Sequence, residues 1–267
     1  MVSGKVDKKG FNDLNDVAGR MLCHLTSSSR FNGEMNVDMN EICTNLVPFP
    51  KLQFLMTALS PQRNVGNPRG IVVGGSSGGS TRGNLISASS SAGANRVSMQ
   101  RAFGDILGKK GQLSAVEPCA PGSSSITLAS AFLARGSSQA IPLSDFMNCV
   151  TSARTTSLKF PSWNPDACKI GLCNTAAPGE SMSVLAVYNN TAFGSVLERQ
   201  QKRFNMLFRR KAMLHHYTEF MPEEEIAFAE QSVDAVIADY RAVERGQSVL
   251  LRDDQTRLLM ERLFPAF

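Results

Sequence analysis

The hydrophobic period of this chain changes once, near residue 190, and that change constrains the fold more than any other feature. Before it, apolar runs of strand length alternate with helical patterns. The runs "LQFLMTAL" (52–59), "ITLASAFLARG" (126–136), "LKFPSW" (158–163) and "SMSVLAVYN" (181–189) read as strands. Their near-continuous hydrophobicity suits a sheet covered on both faces. Helical spacing appears at 11–29, where Phe11, Leu14, Val17, Ala18, Met21, Leu22 and Leu25 form one wide apolar face. It recurs at 35–50, at 98–108, and at 142–154 behind a helix-starting proline. After residue 190 only helical patterns remain, one or two long helices over 192–217 and another over 222–246. The last opens on Pro222 and three glutamates, which oppose the positive end of the helix dipole, and closes on Gly246. The expected fold is α/β, followed by an all-helical hairpin.

With 267 residues and 42% hydrophobic content, the chain has material for one large core or two modest ones. A formal charge of +5 is too small to imply a nucleic-acid partner without a patch. Arg199, Lys202, Arg203, Arg209, Arg210 and Lys211 do fall in one helical stretch. They read first as a solvated face, with a polyanion-binding stripe as the rival. The six cysteines contain no C-x-x-C pair, and Cys168 and Cys173 have no flanking histidines, so no metal site is expected. They read as reduced, mostly buried thiols of a cytosolic protein. The first residues carry charge but no apolar signal core, and no run of 18 apolar residues occurs, so no membrane contact is expected. The sequon Asn189-Asn190-Thr191 then reads as a polar helix cap.

Three local patterns invite chemistry. "IVVGGSSGGSTRG" (71–83) resembles a phosphate loop but lacks its lysine and a following amphipathic helix, so 63–96 reads as Gly/Ser-rich linker. His215 and His216 are adjacent, about 100° apart on a helix, so one should pack and the other be solvated. Asp38 and Glu41, three apart in "MNVDMNEICTNLVPFP" (35–50), have the spacing of a capping box ahead of Met39, Ile42, Leu46 and Val47. By local physics alone they are a cap.

Longer blocks carry a resemblance. "LTSSSRFNGEMNVDMNEICTNLVPFP" (25–50), "NNTA" (189–192), "RFNMLFRRKAMLHHYTEFM" (203–221) and "FAEQSVDAVIADY" (228–240) resemble the tubulins, and the similarity runs through most of 11–245. "LTSSSRFNG" and "NEICTNLVPFP" are most similar to the epsilon branch, which is associated with centrioles and basal bodies. The resemblance implies a core helix in 1–30, an intermediate-type α/β domain over 31–190 with an insertion at 60–97, a C-terminal helical domain over 191–246, and an extension over 247–267. The Rossmann-like phosphate-binding half of the family, which brings Mg²⁺ with it, is absent from this sequence.

The same resemblance implies roles residue by residue. Phe11 stands where the family stacks an aromatic on the guanine of GTP, and Asn15 where it hydrogen-bonds the base edge. Glu41 stands where alpha-type subunits place the glutamate that promotes hydrolysis of a neighbouring subunit's GTP, with Asp38 beside it. Beta-type subunits carry a lysine at that place, so Glu41 is the alpha-like choice. Residues 30–50 would form the longitudinal contact with another tubulin subunit, and centriolar or basal-body proteins are further expected partners, in cytoplasm and cytoskeleton. Two departures stand out: a long basic loop where the family makes lateral contacts, and an apolar C-terminus where assembled members carry an acidic tail. The alternatives are a divergent alpha- or beta-type subunit of microtubule walls, and a non-enzymatic basic interaction module.

Overall fold

The computed structural model describes residues 11–33, 35–61, 92–120 and 123–246. The expectations for the Gly/Ser-rich loop up to residue 91 and for the C-terminal extension lie outside them. A four-stranded sheet in the order β1-β4-β2-β3 organises the rest. Its strands are β1 (Leu55–Ser60), β2 (Thr127–Gly136), β3 (Cys168–Cys173) and β4 (Met182–Asn190). β4 runs antiparallel to both β1 and β2, whereas β2 and β3 are parallel. A parallel pair needs a crossover, and helix α5 (Leu143–Ser152) provides it.

Both faces of the sheet are covered, which is why its central strands are buried at nearly every position. Phe132 and Ala134 of β2, with Val184, Ala186 and Tyr188 of β4, pack on α5 and on α4 (Ala92–Leu107) through Met99, Phe103, Ile106, Phe146 and Val150. The alternate residues Ala129, Ala131, Leu133, Leu185 and Val187 face Val37, Ile42 and Leu46, from α3 (Met39–Leu46) and the segment before it. The period of two along β2 and β4 thus divides one apolar run between two cores.

The chain closes with α6 (Gly194–Arg209), the single turn α7 (His215–Thr218) and α8 (Glu223–Glu244). Tyr240 of α8, fully buried, packs with Leu52, Leu128 and Val243 and so ties this helix to the sheet. Gly194 allows the close crossing of α6, since a Cβ there would stand 3.3 Å from that of Tyr240. Arg241 adds ion pairs to Glu198 at 2.8 Å and Glu244 at 2.7 Å.

Several expectations need correction. Residues 158–163 form no strand: Pro161 lacks a ladder donor, and the segment gives the sheet one bond, from the Thr127 N–H to the Lys159 carbonyl at 2.7 Å. The strand after α5 is "CKIGLC", whose alternation was too short and too mixed to register. Helix α4 begins at Ala92, inside the stretch read as linker. Of the one or two long helices expected over 192–217, one is long: α6 ends at Arg209, Lys211 and Met213 take positive φ values of 49° and 60°, and only a single turn, α7, follows. Both histidines there are exposed, with their rings 3.9 Å apart, so neither packs into the core. The thiols are free but not mostly buried; Cys23 and Cys43 are exposed and only Cys173 is buried. No helix among the described residues is long and apolar enough to cross a membrane.

The first helix, α1 (Phe11–Leu25), departs from its expected apolar face. It turns Val17, Met21 and Leu25 partly inward but buries His24, and leaves Phe11, Leu14, Ala18 and Leu22 exposed. The inward face is polar because it meets Glu180, which Arg20 contacts at 2.6 Å, and Ser183, whose hydroxyl lies 2.9 Å from His24 Nε2.

Candidate functional site

The acidic pair sits at the exposed N-terminus of α3, and the fold holds that terminus from three sides. Asn32 and Met35 meet the outer edge of β3: the Leu172 N–H donates to the Met35 carbonyl at 3.0 Å, and the Asn174 N–H to the Asn32 carbonyl at 3.3 Å. An otherwise open sheet edge is thereby covered. Val37 then packs on Gly171 of β3, where a Cβ would lie 3.0 Å from Val37 Cγ2 and 2.6 Å from Leu133 Cδ2. At the far end, the fully buried Asn189 donates from Nδ2 to the carbonyls of Leu46 at 2.7 Å and Leu52 at 2.6 Å. These fix the last turn of α3 against β4.

Asp38 is the N-cap: its backbone is extended, at φ −79° and ψ 156°, and its carboxylate accepts from the Met39 N–H at 2.7 Å. The bond goes to the first helical amide rather than the third, so the expected capping box is not formed. The nearby Asp38 amide favours the ionised Glu41 only slightly, and the main partner of Glu41 lies elsewhere. Lys169, second residue of β3, forms an ion pair with Glu41 Oε1. Hydrogen bonding to Lys169 is the largest cause that holds the Glu41 carboxyl below the usual carboxylate range; desolvation opposes it, and the Lys169 charge adds to the lowering. The side chains stay 41% and 33% exposed, so solvent and any docking surface can reach both. No local pattern in the sequence could have found Lys169, which lies 128 residues from Glu41.

Phe11 and Asn15, expected at the guanine base, lie one turn apart on a single face of α1. Phe11 is 85% exposed and Asn15 is exposed too. An accessible aromatic face beside a primary amide fits the stacking and edge contacts that a purine base makes. No group of three or more His, Cys, Asp or Glu among the described residues could hold a metal ion. Cys168 and Cys173 stand at opposite ends of β3, about 16 Å apart at the usual strand rise.

Over 255 residues, 93% of its length, the chain is 32% identical to the tubulin epsilon chain of Mus musculus. It is 31% identical to the tubulin epsilon chain of Homo sapiens over the same length. The tubulin beta-2 chain of Suillus bovinus is 28% identical over 239 residues, 89% of this chain. The matches take in 46–47% of these relatives, so the chain spans about half the length of the curated proteins it matches. No family model matches it.

Proposed function

Because the chain belongs to the tubulin superfamily, we propose that it acts as an epsilon-type subunit of centriole and basal-body microtubule structures, and that the start of α3 is the face it offers to a neighbouring subunit's GTP. One observation carries this: Asp38 caps the helix, and the Glu41 carboxylate projects beside it, ionised, paired with Lys169 and half-exposed, from a well-anchored helix end. A carboxylate so placed can orient a water in line with a terminal phosphate and accept its proton. The water oxygen bonds to the γ-phosphorus, the bond from phosphorus to the β–γ bridging oxygen breaks, and GDP and phosphate leave. The neighbour supplies the phosphate cradle and Mg²⁺, which neutralise the charge developing on the phosphate. Asp38 holds the geometry of the turn.

On its own side, the chain would use Phe11 and Asn15 for a guanine base. The test is phosphate release from GTP-loaded tubulin mixed with this chain. Wild type should accelerate it and Glu41→Gln should not, with unfolding midpoints matched. Equal release by both would refute the role of Glu41.

A second reading rests on the exposure of Lys202, Arg203, Arg209 and Arg210 along α6, where an acidic partner could dock. Its mark would be polyanion binding that weakens steeply with salt, with a log-log slope of several units.

A further inference from the structure

We propose that Lys169 is a positioning residue for Glu41, so that an ion pair spanning β3 and α3, rather than a lone glutamate, meets the terminal phosphate of the neighbouring nucleotide. The proposal rests on the trans-acting role of Glu41 given above.

The argument begins with a conflict of charge. A general base must approach the phosphate closely enough to hold the attacking water, yet base and phosphate are both anionic. An isolated carboxylate in that place is repelled, and a neighbouring anion also raises its affinity for a proton, which would disable it as a base. An ammonium bonded to the carboxylate removes both difficulties. It offsets the repulsion and favours the ionised form, while the second carboxylate oxygen stays available to water. Lys169 Nζ contacts Glu41 Oε1, and the water is assigned to Oε2.

Exposed ion pairs are commonly incidental, because two long side chains seldom stay in one geometry. Here both backbones are held. Lys169 sits on a strand paired along its length with β2, and its own edge is bridged at Leu172 to Met35. Glu41 sits on a helix fastened at one end by Val37 against Gly171 and at the other by Asn189. Asp38, a second charged residue close to Glu41, turns its carboxylate to the Met39 amide. Glu41 would therefore depend on a group far away in sequence for its ionisation and its aim.

The experiment uses the whole chain mixed with GTP-loaded tubulin and follows phosphate release from pH 5 to 8, together with an NMR titration of the Glu41 carboxyl in the chain alone. Lys169→Met should slow release at least tenfold, move the acid limb to higher pH and raise the carboxyl pKa. Lys169→Arg should restore all three. A Lys169→Met chain with wild-type rate, limb and titration overturns the proposal, and so does an arginine variant that fails to rescue. If Glu41→Gln leaves release unchanged, the parent role has failed instead. If Glu41→Gln abolishes release while Lys169→Met does not alter it, only the role of Lys169 falls.

Discussion

Asn189 offers the sharpest test of how α3 is held. Its amide nitrogen bonds two buried carbonyls at once, those of Leu46 and Leu52, at 2.7 Å and 2.6 Å. The first is an end-of-helix acceptor with no partner inside the helix. Asn189→Ala strands both acceptors away from water, and each buried group left unsatisfied costs about 1–3 kcal/mol. The loss is partly offset, because the Asn189 Oδ1 is itself buried without a hydrogen-bond partner and its removal relieves that penalty. A net destabilisation of about 2–3 kcal/mol follows. With a urea slope of about 2–3 kcal/mol per molar, the midpoint should fall by about 1 M at unchanged slope. Asn189→Asp should be worse than alanine, since it keeps the shape but turns an acceptor toward two acceptors. Equilibrium urea unfolding followed by circular dichroism measures both. A shift below about 0.2 M for both variants would refute the reasoning, because neither the bonds nor the stranded carbonyls could then carry the assigned cost.

Two further outcomes follow from the same packing. Gly171→Ala should destabilise by about 1–3 kcal/mol, as overpacking does, and weaken the pairing of Glu41 with Lys169 by pushing Val37 off β3; urea unfolding and the Glu41 titration check the two effects. Burial pushes the Tyr240 hydroxyl up to about 12, against the Phe54 N–H, whose hydrogen bond favours the phenolate. This folded value lies above the unfolded one near 10, so the contribution to stability is complete below pH 10 and is lost as pH rises toward 12. Tyr240→Phe should therefore flatten the alkaline decline in unfolding midpoint between those limits, and an unchanged decline would contradict the assignment.

The sheet's central strands were legible because β2 and β4 are buried along almost their whole length and mostly apolar, a pattern set by two covered faces rather than by one. β3 was not, because an edge strand that carries Lys169 and Gly171 together on its α3-facing side loses the continuous apolar run by which buried strands are recognised. The same two residues matter most for the site: the glycine lets α3's approach come close, and the lysine meets the glutamate that approach delivers. On α1 the failure was different. Periodicity found the apolar stripe, but the buried side is set by Arg20 and His24 meeting Glu180 and Ser183, contacts about 160 residues away in sequence.

Glu41 shows why local physics gave half of its role. Spacing alone assigned the acids at 38 and 41 to one capping device, and Asp38 does cap the first helical amide. Glu41 is turned instead to Lys169. The capping bond is a property of consecutive residues and could be read from them. The ionised, aimed carboxylate is a property of β3 lying beside α3, which exists only when the chain is folded. That division makes the cap and the chemistry separable by mutation: Asp38→Ala should loosen the helix start while leaving Glu41 paired, and Lys169→Met should leave the helix start intact while releasing Glu41. Backbone amide exchange in the first turn of α3 reads the former, and the carboxyl titration of Glu41 the latter. If both variants altered both signals alike, cap and ion pair would be one device, and the case for a carboxylate held in reserve for a neighbour's nucleotide would lose its footing.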